Sequence, residues 1–585
     1  MSLATTRISL ILFASASLAA AQPATGGLPT PRPAQRAAAP DAWAPRLGGR
    51  LRVAPDRRIR DPWGREVLLR GVNAGQKSGD LLPTHTAQDV ASLVETTGIN
   101  FVRLYISWRG IEPKPNVYDL AYLDGIAEQV KRWNGQRVYV LIDMHQDLWG
   151  GSFAGHGAPE WATLGGASTF KAPEEGPWQL RYADPAVWQS FEALWRNAPV
   201  PATGKGLQDH LAGAWQAVAR RLQGRPGVVG YDLLNEPFFG AEVATELKGI
   251  AKKALRPAAK VATRAAARGT WDGIVSQLKR PLRLNPLNPL DPLGVVPNRA
   301  DLRRAGSAAK EGFLKGLDQA ARDPEIFKKI LAAFEPANTR FAARLSRFYT
   351  RVGGAVQAVD PQGLMFVEPM ALTGVGVKSR MPRPALRNLV YAPHLYDAFV
   401  DSGMAWDGQI ERLKQALRNH REEAKRLGAG LVLGEWGNAH RGDHGDFLVQ
   451  ATKAVNASGV SAAYWDHEPG EESQASLRVA LTAYPRRVAG TLRTFSNRPG
   501  RFVAIYQPSA EALSVPSVLV VPKAAFPTGV RVSTPTRIRA EWRYDAARQL
   551  LLLRCPAGSK GVMIVVVTPG QAGDPTSGVT QRQVR

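Results

Sequence analysis

Eight short apolar runs recur along the chain, at 67–73, 100–108, 137–145, 228–236, 364–369, 389–396, 431–436 and 461–466. The stretches between them are long enough for helices, and several carry helical spacing. Leu120, Leu123, Ile126, Ala127 and Val130 fall on one side of a helix over 120–133, and 207–222 and 410–427 read the same way. Parallel strands need crossovers of this length, so eight alternations predict an α/β chain folded as a (β/α)8 TIM barrel. Such a barrel presents its chemistry at the C-terminal ends of its strands. At 585 residues the chain has more than one barrel requires. After 496 the pattern changes to β-branched or aliphatic runs at 502–506, 515–521, 530–534, 538–544, 550–554 and 562–567, parted by Pro and Gly. These predict a small all-β sandwich. The expected organisation is a catalytic barrel over 48–495, a β-sandwich over 496–570 and a tail over 571–585.

Two segments stand outside this scheme. Residues 1–21 have Arg7 before an apolar stretch and small residues at Ala19-Ala20-Ala21, the pattern of a secretory signal peptide. A Pro/Ala-rich leader follows over 22–47. The expected location is secreted or periplasmic. A basic helical insert at about 240–335 separates the fourth and fifth runs, and the window 241–340 holds 19 Lys and Arg against 10 Asp and Glu. Such spacing fits either a solvated face or peripheral contact with an anionic membrane surface. The whole chain has a formal charge of +25, but no nucleic-acid module accompanies it, and no nucleic-acid partner is expected. With Cys555 as the single cysteine, an intrachain disulfide and a thiolate zinc site are excluded.

The fourth run ends in Asn235-Glu236-Pro237 and the seventh in Gly434-Glu435-Trp436-Gly437. Two carboxylates at the ends of two strands suit glycoside hydrolysis, one donating a proton to the leaving oxygen and the other attacking carbon or activating water. The plainer reading is a pair of strand-end glutamates that cap or bridge. Trp149, Trp161, Trp178, Trp188 and Trp195 fall in a long loop over 146–200. They either stack on sugar faces or pack a lid, and packing is expected of most. A zinc site built from His145, Asp147 and His394 lacks any His-x-x-His or Cys spacing; no metal and no cofactor is expected.

The stretches Val102-Arg103-Leu104-Tyr105-Ile106-Ser107-Trp108, Asp143-Met144-His145-Gln146-Asp147, Asn235-Glu236-Pro237-Phe238, Ala392-Pro393-His394-Leu395-Tyr396, Gly434-Glu435-Trp436-Gly437 and Tyr464-Trp465 resemble glycoside hydrolase family 5, and within it the endoglycoceramidases. The resemblance implies retention through a covalent glycosyl-enzyme intermediate, with Glu435 as nucleophile and Glu236 as acid/base. Arg103 and Tyr396 would keep the nucleophile ionised, while burial and the other carboxylate would keep Glu236 protonated. Asn235 would donate to the sugar 2-OH, His394 would face the same side as Tyr396, and Trp465 would floor the glycone subsite. His145, Asp147 and Lys77 would bind glycone hydroxyls, although Lys77 in its Gly-rich loop also reads as a surface lysine. Trp436 stands where the subgroup often has Phe, and Asp466-His467-Glu468 after Trp465 make a more charged wall. The implied function is hydrolysis of the glycan–lipid bond of a glycolipid. An endo-β-glucanase or mannanase is the alternative enzyme, and a non-catalytic carbohydrate- or envelope-binding protein the alternative of another class. The expected partner is a glycolipid or carbohydrate substrate.

Overall fold

The computed structural model describes residues 49–76, 82, 84–165, 170, 181–182, 184–243, 322–401, 405–437, 445–469, 475–510, 515–571 and 577–579. The signal segment, the leader, Lys77, Trp178 and most of the basic insert lie outside the described residues. Eight parallel strands close into a barrel: β1 Arg70–Ala74, β2 Phe101–Ile106, β3 Tyr139–Met144, β4 Val228–Asp232, β5 Leu364–Val367, β6 Leu389–Tyr391, β7 Gly430–Gly437 and β8 Ser461–His467. Each of the eight apolar runs supplies one of them, and β8 returns to pair with β1 through Ala462–Arg70 and Ala463–Gly71.

Side chains alternate inward along these strands. Leu69, Phe101, Tyr139, Leu141, Leu364, Phe366, Val390, Ala392 and Val432 fill the lower barrel, and Leu51, Ile59 and Val67 close its floor. On the outside, helix α1 Ala87–Thr97 starts with a Thr86–Asp89 capping box, which satisfies two amides left over at its start. Helix α2 Leu120–Gly135 buries Leu123, Ile126, Ala127, Val130 and Trp133, each larger side chain contributing about 1.5–3 kcal/mol. Leu120, expected on that face, is instead 72% exposed. It is the first helical residue after the Asp119 cap, where the apolar stripe has not yet met the barrel. Helices α3 Leu207–Leu222, α4 Pro324–Val359, α5 Ile410–Leu427 and α6 Gly445–Ser458 complete the wall used below.

The C-terminal region is two antiparallel sheets. One holds β9 Tyr484–Val488, β10 Ser517–Val520, β13 Leu550–Arg554 and β12 Glu541–Asp545; the other holds Gly490–Arg498, Arg501–Pro508, Met563–Pro569 and β11 Val530–Ser533. The sandwich therefore begins a strand earlier than the expected 496. Pro485-Arg486-Arg487 hides β9 from a search for aliphatic runs. Part of the expected tail also belongs to it, because Ser577–Val579 pairs with the start of β12. The first sheet continues into the N-terminal strands Glu66–Val67, Ile59–Arg60 and Arg52–Val53.

Candidate active site

Above its apolar floor the barrel interior becomes ionic. On β2, Phe101, Arg103 and Tyr105 point inward in succession, and Arg103 is fully buried. Its Nε donates to Asp232 Oδ2 at 2.9 Å. Nη1 donates to Asn73 Oδ1 at 3.0 Å and Glu435 Oε1 at 2.7 Å. Nη2 donates to Asn235 Oδ1 at 2.9 Å and Glu368 Oε1 at 2.6 Å, and lies 2.9 Å from Asp143 Oδ1. Burial works against the guanidinium's charge, but Asp143, Asp232, Glu368 and Glu435 outweigh it and hold its pKa above the ordinary arginine value. Four carboxylates cannot all ionise around one cation without cost. Burial, reinforced by Glu368, pushes Asp232 well above the carboxylate range.

Glu236 follows β4 and Glu435 lies on β7. One oxygen of each, with a nitrogen of His394, falls within a group whose atoms are all inside 4.8 Å of one another. His394 Nδ1 is 2.8 Å from Glu236 Oε1 and 3.3 Å from Glu435 Oε2, and its Nε2 is 3.2 Å from Glu368 Oε1. Burial disfavours an imidazolium, yet Glu368 and Glu435 prevail and raise His394 well above the ordinary histidine value. This crowding needs Gly434: a Cβ there would sit 3.1 Å from His394 Nε2.

Glu435 accepts from Arg103 on one oxygen and from the Tyr396 hydroxyl, at 2.7 Å, on the other. Burial pushes its carboxyl up to about 7 and Glu236 adds to this, while His394 and Arg103 oppose. Glu435 is the more enclosed of the pair, with a side chain 5% exposed against 20% for Glu236. Glu236 has a left-handed backbone, φ 40°, a conformation costing about 1–3 kcal/mol in a non-glycine residue. It is held there by its N–H donating to Glu368 Oε2 at 2.8 Å and its carbonyl accepting from Gln146 Nε2 at 3.0 Å. Asn235 donates through Nδ2 to the Gln146 carbonyl.

His145, on the inward face two residues above Asp143, has Nδ1 2.8 Å from Asp143 Oδ2 and Nε2 3.5 Å from Asp147 Oδ2. Burial lowers its pKa, but the two aspartates win and raise it to about 9. Trp465 lies over it, ring centres 5.6 Å apart and planes at 11°, and Tyr105 stacks on the same indole. The structure thus brings Arg103, Asn235, Glu236, His394, Tyr396 and Glu435 into one bonded cluster, with His145, Asp147 and Trp465 along one side.

The sequence reading missed Asn73, Asp143, Asp232 and Glu368. Glu368-Pro369 ends its strand as Glu236-Pro237 follows its own, a signal that was available. The trio weighed for zinc is not assembled as such: His394 groups with Glu236 and Glu435, and a second group is Asp143, Asp232 and Glu368. Arg103 already supplies a cation to both groups. Trp149 and Trp195 of the lid are buried and Trp161 and Trp188 half-buried. All but Trp149 use the indole N–H within the protein, on the carbonyls of Glu112, Tyr182 and Phe238.

Two family descriptions match: Cellulase (glycosyl hydrolase family 5) over residues 61–265 and 334–471, and Glycoside hydrolase family 5 C-terminal domain over 483–567. Endoglycoceramidase I of Rhodococcus hoagii (strain 103S) is 38% identical over 184 residues, 31% of this chain and 36% of that protein. The endoglycoceramidase of Hydra vulgaris is 29% identical over 207 residues, 31% and 39% of the two chains. The matches therefore span little more than a third of those relatives' length. Among solved structures, endo-glycoceramidase II from Rhodococcus sp. in its ganglioside GM3 complex is similar with a TM-score of 0.62 and 26% identity, over 88% of this chain and 99% of that one.

Proposed function

The chain belongs to glycosyl hydrolase family 5, and from that premise we propose that it is a retaining β-glycosidase cleaving the glycan–lipid, ceramide-type bond of a glycolipid. The carrying observation is the close approach of Glu236 and Glu435, with oxygens inside 4.8 Å. Retaining pairs sit ~5–5.5 Å apart, and inverting pairs leave room for a water between them. Endo-glycoceramidase II, whose structures include a lactosyl-enzyme intermediate, supports the same chemistry.

In this reading Glu435 attacks the anomeric carbon, steadied by Arg103 and Tyr396. The proton for the leaving oxygen is held between His394 Nδ1 and Glu236 Oε1, 2.8 Å apart. Once the lipid alcohol departs, Glu236 takes a proton from water, which opens the intermediate with net retention. Asn235 has one amide N–H committed to Gln146 and directs the other to the sugar 2-OH. Trp465 floors the glycone; His145, Asp147 and Lys77 bind its hydroxyls.

The test is incubation with a panel of glycosphingolipids and with soluble β-glucans and mannans, the products being identified by mass. Intact oligosaccharide plus ceramide is expected. Cleavage confined to the polysaccharides would favour the endo-β-glucanase or mannanase reading, and no cleavage of either would favour a binding protein.

Export and membrane contact complete the proposal. The signal-like pattern of residues 1–21 supports export, and sequencing the N-terminus of the protein recovered outside the cytoplasm tests it. Among the described residues no helix is long and apolar enough to cross a membrane, so contact would be peripheral, through the basic insert. It follows the strand leading to Glu236 and so leaves the barrel at its active face. Each basic residue near an anionic surface contributes ~1 kcal/mol. Salt-sensitive co-sedimentation with anionic but not neutral liposomes, lost when the insert is deleted, is the expected result.

A further inference from the structure

Barrel and sandwich meet around Arg70, the first residue of β1, which is 4% exposed. Its Nη2 donates to the Val455 carbonyl at 3.3 Å, and its guanidinium lies over the Phe495 ring, 5.5 Å from the centroid. Its Nε has no acceptor among the described residues, and no carboxylate there is paired with it. Burial lowers its pKa to about 10, which still leaves it charged at neutral pH. A cation withdrawn from water in this way strongly favours a counter-charge.

The same side chain borders a small, partly open cavity lined also by Thr97, Asn456, Leu481, Thr482 and Tyr484. Tyr484 does not supply the missing charge. Burial pushes its phenol up to about 12, and the hydroxyl donates to the Gly98 carbonyl. Thr97 donates to the Leu93 carbonyl. Thr482 Oγ1 accepts from the amides of Asn456 and Asn497, at 3.3 and 3.0 Å, which leaves its own hydrogen to donate. The cavity thus offers Arg70, Asn456 and Thr482 as donors, and no anionic group. Its free space is about 10 Å³, close to the minimum for one water-sized particle.

A positive wall, donor hydrogens and room for one small particle describe a monatomic anion site. We propose that the cavity binds chloride, which joins β1 and α6 of the barrel to β9 of the sandwich and neutralises Arg70. Water satisfies donors equally well but leaves the charge unmatched.

The experiment uses the full chain. Thermal unfolding is followed in sodium chloride and in sodium gluconate at equal ionic strength, for the wild type, Arg70→Met and Thr482→Val. The wild-type Tm is expected to rise with chloride and saturate, by roughly 2 °C or more. Thr482→Val keeps the fold and needs several-fold more chloride for half of its rise. Arg70→Met, where it folds, shows none. A bromide-soaked crystal gives an anomalous peak beside Arg70 Nε. Equal Tm in the two salts, an identical chloride response in Thr482→Val, or no anomalous peak in the cavity would overturn the proposal, the last outcome assigning the space to water.

Discussion

Arg103, Tyr396 and His394 converge on Glu435, and all three act on the balance between its neutral and ionised forms. Only the ionised form attacks carbon. Because burial lifts the carboxyl to about 7, kcat/KM is expected to fall as pH drops, with the acidic midpoint above the ordinary glutamate value and toward 7. His394→Asn removes a positive charge that holds Glu435 down, so Glu435 rises further and the acidic limb moves to higher pH. A pH–rate profile with an unmoved limb would sink that account. Arg103→Lys replaces a five-hydrogen fork by three hydrogens facing six acceptors. Activity should drop at least ~10²-fold, in kcat rather than KM, because the loss falls on a contact to the reacting carboxylate. Glu236→Gln should cost ~10²–10⁴-fold, and azide added to Glu435→Gly should yield the inverted glycosyl azide; a retained azide would count against Glu435 as nucleophile. What the sequence conceals at this scale is the company Arg103 keeps. Asp143 and Asp232 sit within strands that otherwise read as buried and apolar. A single buried acid there has no meaning until a cation on another strand is placed beside it.

At the scale of elements, the loop after β2 is fastened by Glu112. This fully buried carboxylate accepts from Trp108 Nε1 and from the Asn116 backbone N–H, and lies 2.7 Å from Nδ1 of His210 on α3. Its carbonyl accepts Trp161 of the lid, whose ring faces His210 at 4.9 Å. Glu112→Ala strands Trp108 Nε1, the Asn116 backbone N–H and His210 Nδ1 and should cost about 3–5 kcal/mol, measured by urea unfolding. A loss under ~1 kcal/mol would mean that the lid and loop are fastened elsewhere. The strands themselves were legible because inward alternation survives the change of chemistry: Leu141, Asp143 and His145 follow one another on one face as surely as three leucines would. Strand ends were less so. Run 389–396 reads as one strand, whereas the regular strand covers only Leu389–Tyr391; Pro393 has no N–H to give the ladder, and pairing with β7 resumes at Leu395, whose N–H donates to the Glu435 carbonyl.

For the whole molecule, the eight-fold alternation made the barrel legible, and the change of pattern near its end revealed the sandwich. Their seam was not legible, since it is built from arginines that no hydrophobic search registers: Arg60 donates to the Gly490 carbonyl, Arg65 to the Pro516 carbonyl and Arg486 to the Arg137 carbonyl. A seam bonded through buried groups should make barrel and sandwich melt together. Calorimetry is expected to give one transition, and two resolved transitions would contradict it. The strand Glu66–Val67 pairs with β9, and the Glu66 carboxylate accepts the Leu492 amide across 426 positions of sequence. Closing so long a loop adds little entropy, because that cost grows only logarithmically. Time is the scarcer quantity: Glu66 leaves the ribosome 426 positions ahead of Leu492, and synthesis proceeds at about 5–20 residues per second. Until β9 follows, that edge of Glu66–Val67 has to wait for its partner.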